Sequence, residues 1–157
     1  MADNNLILAQ QVYGKLISAL TARNWTFDRE DSKLQVRFTV HGDDLPMNMV
    51  MSVDADRQLL RLLSLVPVTM DEDKRMEGAI ATTVASFGLA DGSFDYDITT
   101  GTIGFRQNVA FHNSDLSENL LQYMISWALA VIDKYNDKFL AINKGYLSLE
   151  DFINSET

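Results

Sequence analysis

Apolar positions recur along this chain first every four residues, then every two, and the changes of period mark the elements. Leu8, Val12, Leu16 and Leu20 keep helical spacing, and Ala9, Tyr13 and Ile17 widen the stripe. The pattern predicts an amphipathic helix capped by Asn4 or Asn5 and running to about Arg23. Gly14 interrupts it at a cost of ~1 kcal/mol against alanine, and is expected to mark a close helix crossing.

The period then drops to two. Trp25 and Phe27 alternate with Thr26 and Asp28, and the polar string 29–33 reads as a turn. Leu34, Val36, Phe38 and Val40 alternate with Gln35, Arg37 and Thr39, the signature of a half-buried strand. After a turn at 41–44, Met47, Met49, Met51 and Val53 occupy one face of the next strand. The segment 59–66 is dense in leucine; its length and the bounding Pro67 favour a strand over a helix. Short turns between successive strands imply an antiparallel meander of three or four strands.

Thr69-x-x-Glu72 has the form of a capping box opening a second helix. Its expected buried stripe is Met76, Ile80, Val84 and Phe87, with Ala79 and Thr83, and Gly88 is the expected stop. Residues 93–113 then read as a β-hairpin. Phe94, Tyr96 and Ile98 alternate with polar residues, as do Ile103, Phe105, Val109 and Phe111 after Thr100-Gly101. A two-residue tip at Thr100-Gly101 sets Ile98 opposite Ile103, Tyr96 opposite Phe105 and Asp95 opposite Arg106. Ser117 or Asp115 caps a last long helix that stops at Gly145, with Leu120, Met124, Trp127, Val131, Tyr135 and Ile142 along its apolar side. That stripe is broad enough to cover a sheet and still offer apolar surface to a partner. A short tail helix is expected at about 148–154. The whole reads as one α+β domain over residues 1–157: helix, meander, helix, hairpin and helix in a two-layer sandwich.

Charge narrows the partners. The formal charge is −9, and the thirteen Lys and Arg form no basic run, so neither nucleic acid nor an anionic membrane surface is an expected partner. With no cysteine, the chain has no disulfide, thiol nucleophile or thiolate metal site. The N-terminal stretch lacks a basic start, and the longest apolar run, 123–132, is too short to span a bilayer, which points to a cytoplasmic location.

Chemistry is harder to find. His41 and His112 have no histidine partner at helical spacing, and both read as solvated residues. Asp43-Asp44 and Asp54-x-Asp56 sit in turns, where aspartate bonds its own backbone, and Asp71-Glu72-Asp73 sits where a helix N-terminus favours negative charge. There is no Gly-x-Ser-x-Gly elbow and no phosphate cradle, and Asp95 and Asp97 lie on a polar face with Arg106. No catalytic residue, cofactor or metal ligand is therefore named, and the expectation is a protein that is not an enzyme. Met47, Met49 and Met51 admit two readings: an adaptable binding surface, or core beneath a helix. As candidates for a partner-binding surface they stand with Trp127, Val131 and Tyr135.

In that order of elements, the pieces WTFDREDSKLQVRFTVHG, VDADRQLLRLLSLVPVTMDEDKRMEGAIA, GLADGSFDYDITTGTIGFR and LSENLLQYMISWALAVIDKY resemble the YbjN family of bacterial sensory-transduction regulators. The resemblance covers about residues 8–145 and implies the fold of the class I type III secretion chaperones: a twisted antiparallel sheet with helices against it. It further implies a non-enzymatic, acidic, dimeric protein that holds another polypeptide. The function expected first is thus a protein-binding module, chaperone-like or a regulatory adaptor, acting as a homodimer. The alternative is a small-ligand sensor with a pocket lined by Trp25, Phe38, Met49 and Trp127.

Overall fold

In the computed structural model, which describes residues 2–157, the opening stripe folds as α1 (Ala2–Ala22). The helix starts ahead of its expected cap, so Asn4 and Asn5 lie within its first turns. Ala9, Val12, Tyr13, Leu16, Ala19 and Leu20 are buried, and Leu8 and Ile17 pack at the margin. Gly14 marks no crossing: a Cβ there would meet nothing within 4 Å.

Four strands follow as the expected meander: β1 (Asp28–Glu30), β2 (Gln35–His41), β3 (Pro46–Asp54) and β4 (Leu59–Thr69). The polar string 29–33 is not simply a turn; its start belongs to β1 and its end forms a 3-10 turn, Asp31–Lys33. Trp25, ahead of β1, lies against Phe38 with ring centroids 5.6 Å apart. β4 runs past Pro67, and its pairing is irregular between Leu65 and Thr69. Proline has no N–H for a ladder, so it is tolerated where the pairing is already broken.

The capping box does not form. Thr69 stays in β4 opposite Thr102, and α2 (Arg75–Phe87) is entered through a 3-10 turn, Glu72–Lys74, with no side-chain cap. The hairpin strands β5 (Ser93–Asp97) and β6 (Thr102–Ala110) are joined by a four-residue tip, 98–101. Gly101, at φ 77°, donates its N–H to the Asp97 carbonyl at 2.7 Å. The longer tip slides the register by two residues: Phe94 faces Phe105, Tyr96 faces Ile103 and Asp95 faces Gly104. An even shift keeps every side chain on its face. The Asp95–Arg106 ion pair survives on the diagonal at 3.1 Å, while Ile98 leaves the buried face for the exposed tip.

β6 inserts beside β4, giving a fully antiparallel sheet in the order β1-β2-β3-β4-β6-β5. α3 (Glu118–Lys144) begins where the Ser117 hydroxyl accepts from the Leu120 N–H at 3.1 Å and ends at Gly145 in the left-handed region. It crosses β3, β4 and β6 beside α1, while α2 packs on β5 and α3, and α4 (Leu149–Glu156) packs on α2. Between the layers lie Val36, Phe38, Met47, Met49, Met51, Val53, Leu60, Leu62, Ile103 and Phe105. The opposite face of the sheet, carrying Arg37, Asn48, Leu63, Leu65, Arg106 and Asn108, is open to solvent. This is the expected α+β two-layer sandwich.

Candidate functional site

α2 is set on the sheet with its large apolar residues outward. Its buried positions are the small ones, Gly78, Ala81, Thr82 and Ala85. Of the stripe expected to be buried, Phe87 is 94% exposed, Met76 66% and Ile80 42%. The cause is the close approach of β5. The Tyr96 hydroxyl donates to the Arg75 carbonyl at 2.7 Å, and a Cβ on Gly78 would lie 2.7 Å from that hydroxyl and from Met70 Cγ. Only a small-residue face fits there, and Thr82 fits because its hydroxyl bonds the Gly78 carbonyl at 2.8 Å. The same crowding leaves the Tyr96 hydroxyl reluctant to ionise: burial raises its pKa, the Arg75 charge opposes and Asp97 adds.

The outward stripe is Met76, Ile80, Thr83 and Phe87, stepping by four, three and four residues along the helix. Thr83 satisfies its hydroxyl on the Ala79 carbonyl at 2.8 Å and adds a methyl to the stripe. Beside it, a groove between α2 and α4 is lined by Val84, Phe87, Gly88 and Ile153. α4 is held there by Phe152, buried against Tyr135 and Phe139 with ring centroids 6.4 and 6.3 Å away. Its Glu156 carboxylate accepts from Tyr135 Oη at 2.6 Å and from Lys138 Nζ at 3.1 Å, with Lys134 Nζ at 3.7 Å. Burial alone would raise the Glu156 carboxyl, but the hydrogen bonds from Tyr135 and Lys138 and the two lysine charges outweigh it and hold it below the ordinary range. Burial first, and then this carboxylate, push the Tyr135 hydroxyl far up.

The six residues expected to form a partner surface lie elsewhere. Met47, Met49 and Met51 are buried under the helices, so the core reading of the methionine face replaces the surface reading. Val131 and Tyr135 are buried too, because α1, α2 and α4 take up the flanks of the broad α3 stripe. Trp127 is half-buried, its indole N–H bonded to the Asp91 carbonyl at 2.8 Å. That bond places Trp127 at the entrance to β5, across the sheet from β2, where Trp25 lies on Phe38. Trp25, Phe38 and Met49 do lie together, Phe38 against Trp25 and opposite Met49 in the register, but Trp127 stands apart, so the four do not line one pocket. Among the described residues, no three or more carboxylates and histidines are grouped to hold a metal ion, and no helix is long and apolar enough to cross a membrane. The α2 surface was missed because helical periodicity is present on both of its faces, and hydrophobicity selects the wrong one. The small-residue row 78, 81, 82 and 85 was the available signal.

No family model matches the chain, and no curated protein matches it in sequence. Solved structures similar in fold include two complexes. A chain in the HopA1–SchA chaperone–effector complex superposes with a TM-score of 0.56 at 15% identity, over 82% of this chain and 96% of that one. A chain in the ExsC–ExsE complex gives a TM-score of 0.57 at 15% identity, over 83% and 94%. At that identity the likeness is one of fold.

Proposed function

We propose that this protein is a non-enzymatic, chaperone-like binding module that acts as a homodimer in the cytoplasm and holds a partner polypeptide. The observation that carries the reading is the outward apolar stripe of α2. Spacing of four, three and four residues is the same in both directions, so two α2 helices packed antiparallel about a two-fold axis set Met76 against Phe87 and Ile80 against Thr83. A stripe built this way is complementary to a second copy of itself. An exposed apolar row of this length on an ordered helix is otherwise an aggregation liability. Kinship with the YbjN family, read from the sequence pieces alone, belongs to the same proposal. So does the holding of a client, for which the neighbouring fold occurs in a chaperone–effector complex. Sedimentation velocity across the micromolar range tests the dimer. The expected result is reversible association abolished by paired Met76→Ser and Phe87→Ser substitutions; strict monomers, or a dimer indifferent to both changes, overturn it.

A further inference from the structure

Sulfur is unevenly placed in this protein. The chain has seven methionines and no cysteine. Met47, Met49, Met51, Met70 and Met124 belong to the core, none of them more than 3% exposed. Among the described residues Met76 alone stands outside, 66% exposed, at one end of the α2 stripe. Met70, six residues earlier, packs against Gly78 and is covered, so the contrast arises within one stretch of chain.

Nothing inside the single chain requires methionine at position 76. Leucine has a comparable volume and a comparable helix propensity. What the thioether adds is flexibility and a sulfur that takes up oxygen. In the antiparallel pairing set out above, Met76 of each copy covers Phe87 of the other, so a thioether stands at both ends of the interface. Sulfur against an aromatic ring is a favourable contact. A sulfoxide oxygen is a strong hydrogen-bond acceptor, and the Phe87 ring offers it no partner. Burying such a group opposes association.

We propose that Met76 is a reversible redox switch of the α2 interface, its oxidation to the sulfoxide by a peroxide releasing the two copies. The inference rests on the dimer reading above and names how that interface is regulated. In the forward step the thioether sulfur attacks one peroxide oxygen: an S–O bond forms, the O–O bond breaks, and the second oxygen of hydrogen peroxide leaves as water. Sulfur gives up two electrons and the peroxide accepts them. In the return step a thiol-dependent sulfoxide reductase supplies two electrons; the sulfoxide oxygen leaves as water and two thiols become a disulfide. With no cysteine, the chain has no thiolate to consume the peroxide first and none to act as the reductant. Exposure gives the switch a direction. Met76 is open in the single chain and covered in the dimer, so peroxide reaches it chiefly in the monomer, where the sulfoxide then holds the chain.

The test treats the full-length protein with hydrogen peroxide, locates each added oxygen by peptide mass mapping and follows dissociation by sedimentation velocity. Met76 is expected to gain oxygen ahead of the five buried methionines, and more slowly as protein concentration rises through the dimer range. The dissociation constant is expected to rise about tenfold or more, while the melting temperature at monomeric concentration stays unchanged. Methionine sulfoxide reductases of both epimer specificities, with dithiothreitol, are expected to restore association. Met76→Leu, whatever its own dissociation constant, is expected to show no response to peroxide. The inference is overturned if a buried methionine is oxidised first, if the rate at Met76 ignores protein concentration, or if the sulfoxide form dimerises like the parent. It is equally overturned if Met76→Leu dissociates in peroxide as the parent does, or if the oxidised chain dissociates only by unfolding. In each of these results the unoxidised parent still associates, whereas a parent monomeric at every concentration refutes the α2 pairing itself. The two readings therefore fail separately.

Discussion

Replacing Phe87 with aspartate probes the α2 surface at its most exposed point. The side chain is 94% exposed in the single chain, so its loss removes almost no internal packing. Surface substitutions of this kind change monomer stability by within about 0.5 kcal/mol. In the antiparallel pairing each Phe87 is covered by Met76 of the other copy, and burying a phenylalanine side chain contributes ~2 kcal/mol. The two-fold axis doubles the effect, so truncation alone removes ~4 kcal/mol and raises the dissociation constant about a thousandfold. A carboxylate in the same place carries a further desolvation penalty. Sedimentation equilibrium gives the association constant and urea unfolding under monomeric conditions gives the intrinsic stability. An unchanged association constant in Phe87→Asp refutes the pairing. Loss of more than ~2 kcal/mol from the monomer refutes the assignment of Phe87 to the outside, since that is the signature of an emptied core position.

Four further outcomes follow from the packing. Gly14→Ala fills open space on an ordered helix and is expected to stabilise by ~1 kcal/mol in urea unfolding; no gain contradicts the open position. Phe152→Ala empties the aromatic site under α4 at a cost of ~3–5 kcal/mol, with hydrogen exchange rising first in α4 while β3 and β4 stay protected; uniform loss argues against local docking. Glu156 is held below its ordinary range, so its contribution is complete above the unfolded carboxyl pKa and is lost as pH falls through the lower folded value. Glu156→Gln is expected to flatten that acid limb of stability, and an identical limb in the variant refutes the role. Gly101→Ala must fail where Gly104→Ala succeeds, because Gly101 has φ 77° and its Cβ would lie 2.3 Å from the Met70 carbonyl, while at Gly104 the contacts are ordinary. Equal melting temperatures for the two variants contradict this.

The strands were legible because burial on one face alone forces a strict alternation. Val36 and Phe38 on β2 and Met47, Met49, Met51 and Val53 on β3 sit as their period demanded, and Ser117 and Gly145 bound α3 as capping chemistry required. The failures have separate causes. On β6 the alternation puts Gln107 on the buried face; it is accommodated by donating to Asp91 at 2.7 Å, a partner that only the tertiary fold brings near. α4 falls where it was expected, but its one large apolar anchor, Phe152, docks in a site assembled from α3 that no local pattern shows. α2 was read backwards because the quantity that decided its orientation was size, set by the Tyr96 hydroxyl, and not hydrophobicity. For the candidate surface this reversal is the whole difference, since it moves Met76, Ile80 and Phe87 from core to exterior.

The small-residue seating of α2 also bears on how long the protein lasts. Gly78, Ala81, Thr82 and Ala85 bring little apolar area to the helix's inner contact. In the proposed dimer, much of the hydrophobic gain that α2 can offer is realised only when a second copy arrives. Association that favours the folded form raises stability by mass action. Scarce copies then keep a thinly anchored helix within reach of proteases, while abundant copies shield one another. If the proposed dimer forms, turnover falls as the protein accumulates, a dependence on its own level that is built into one helix.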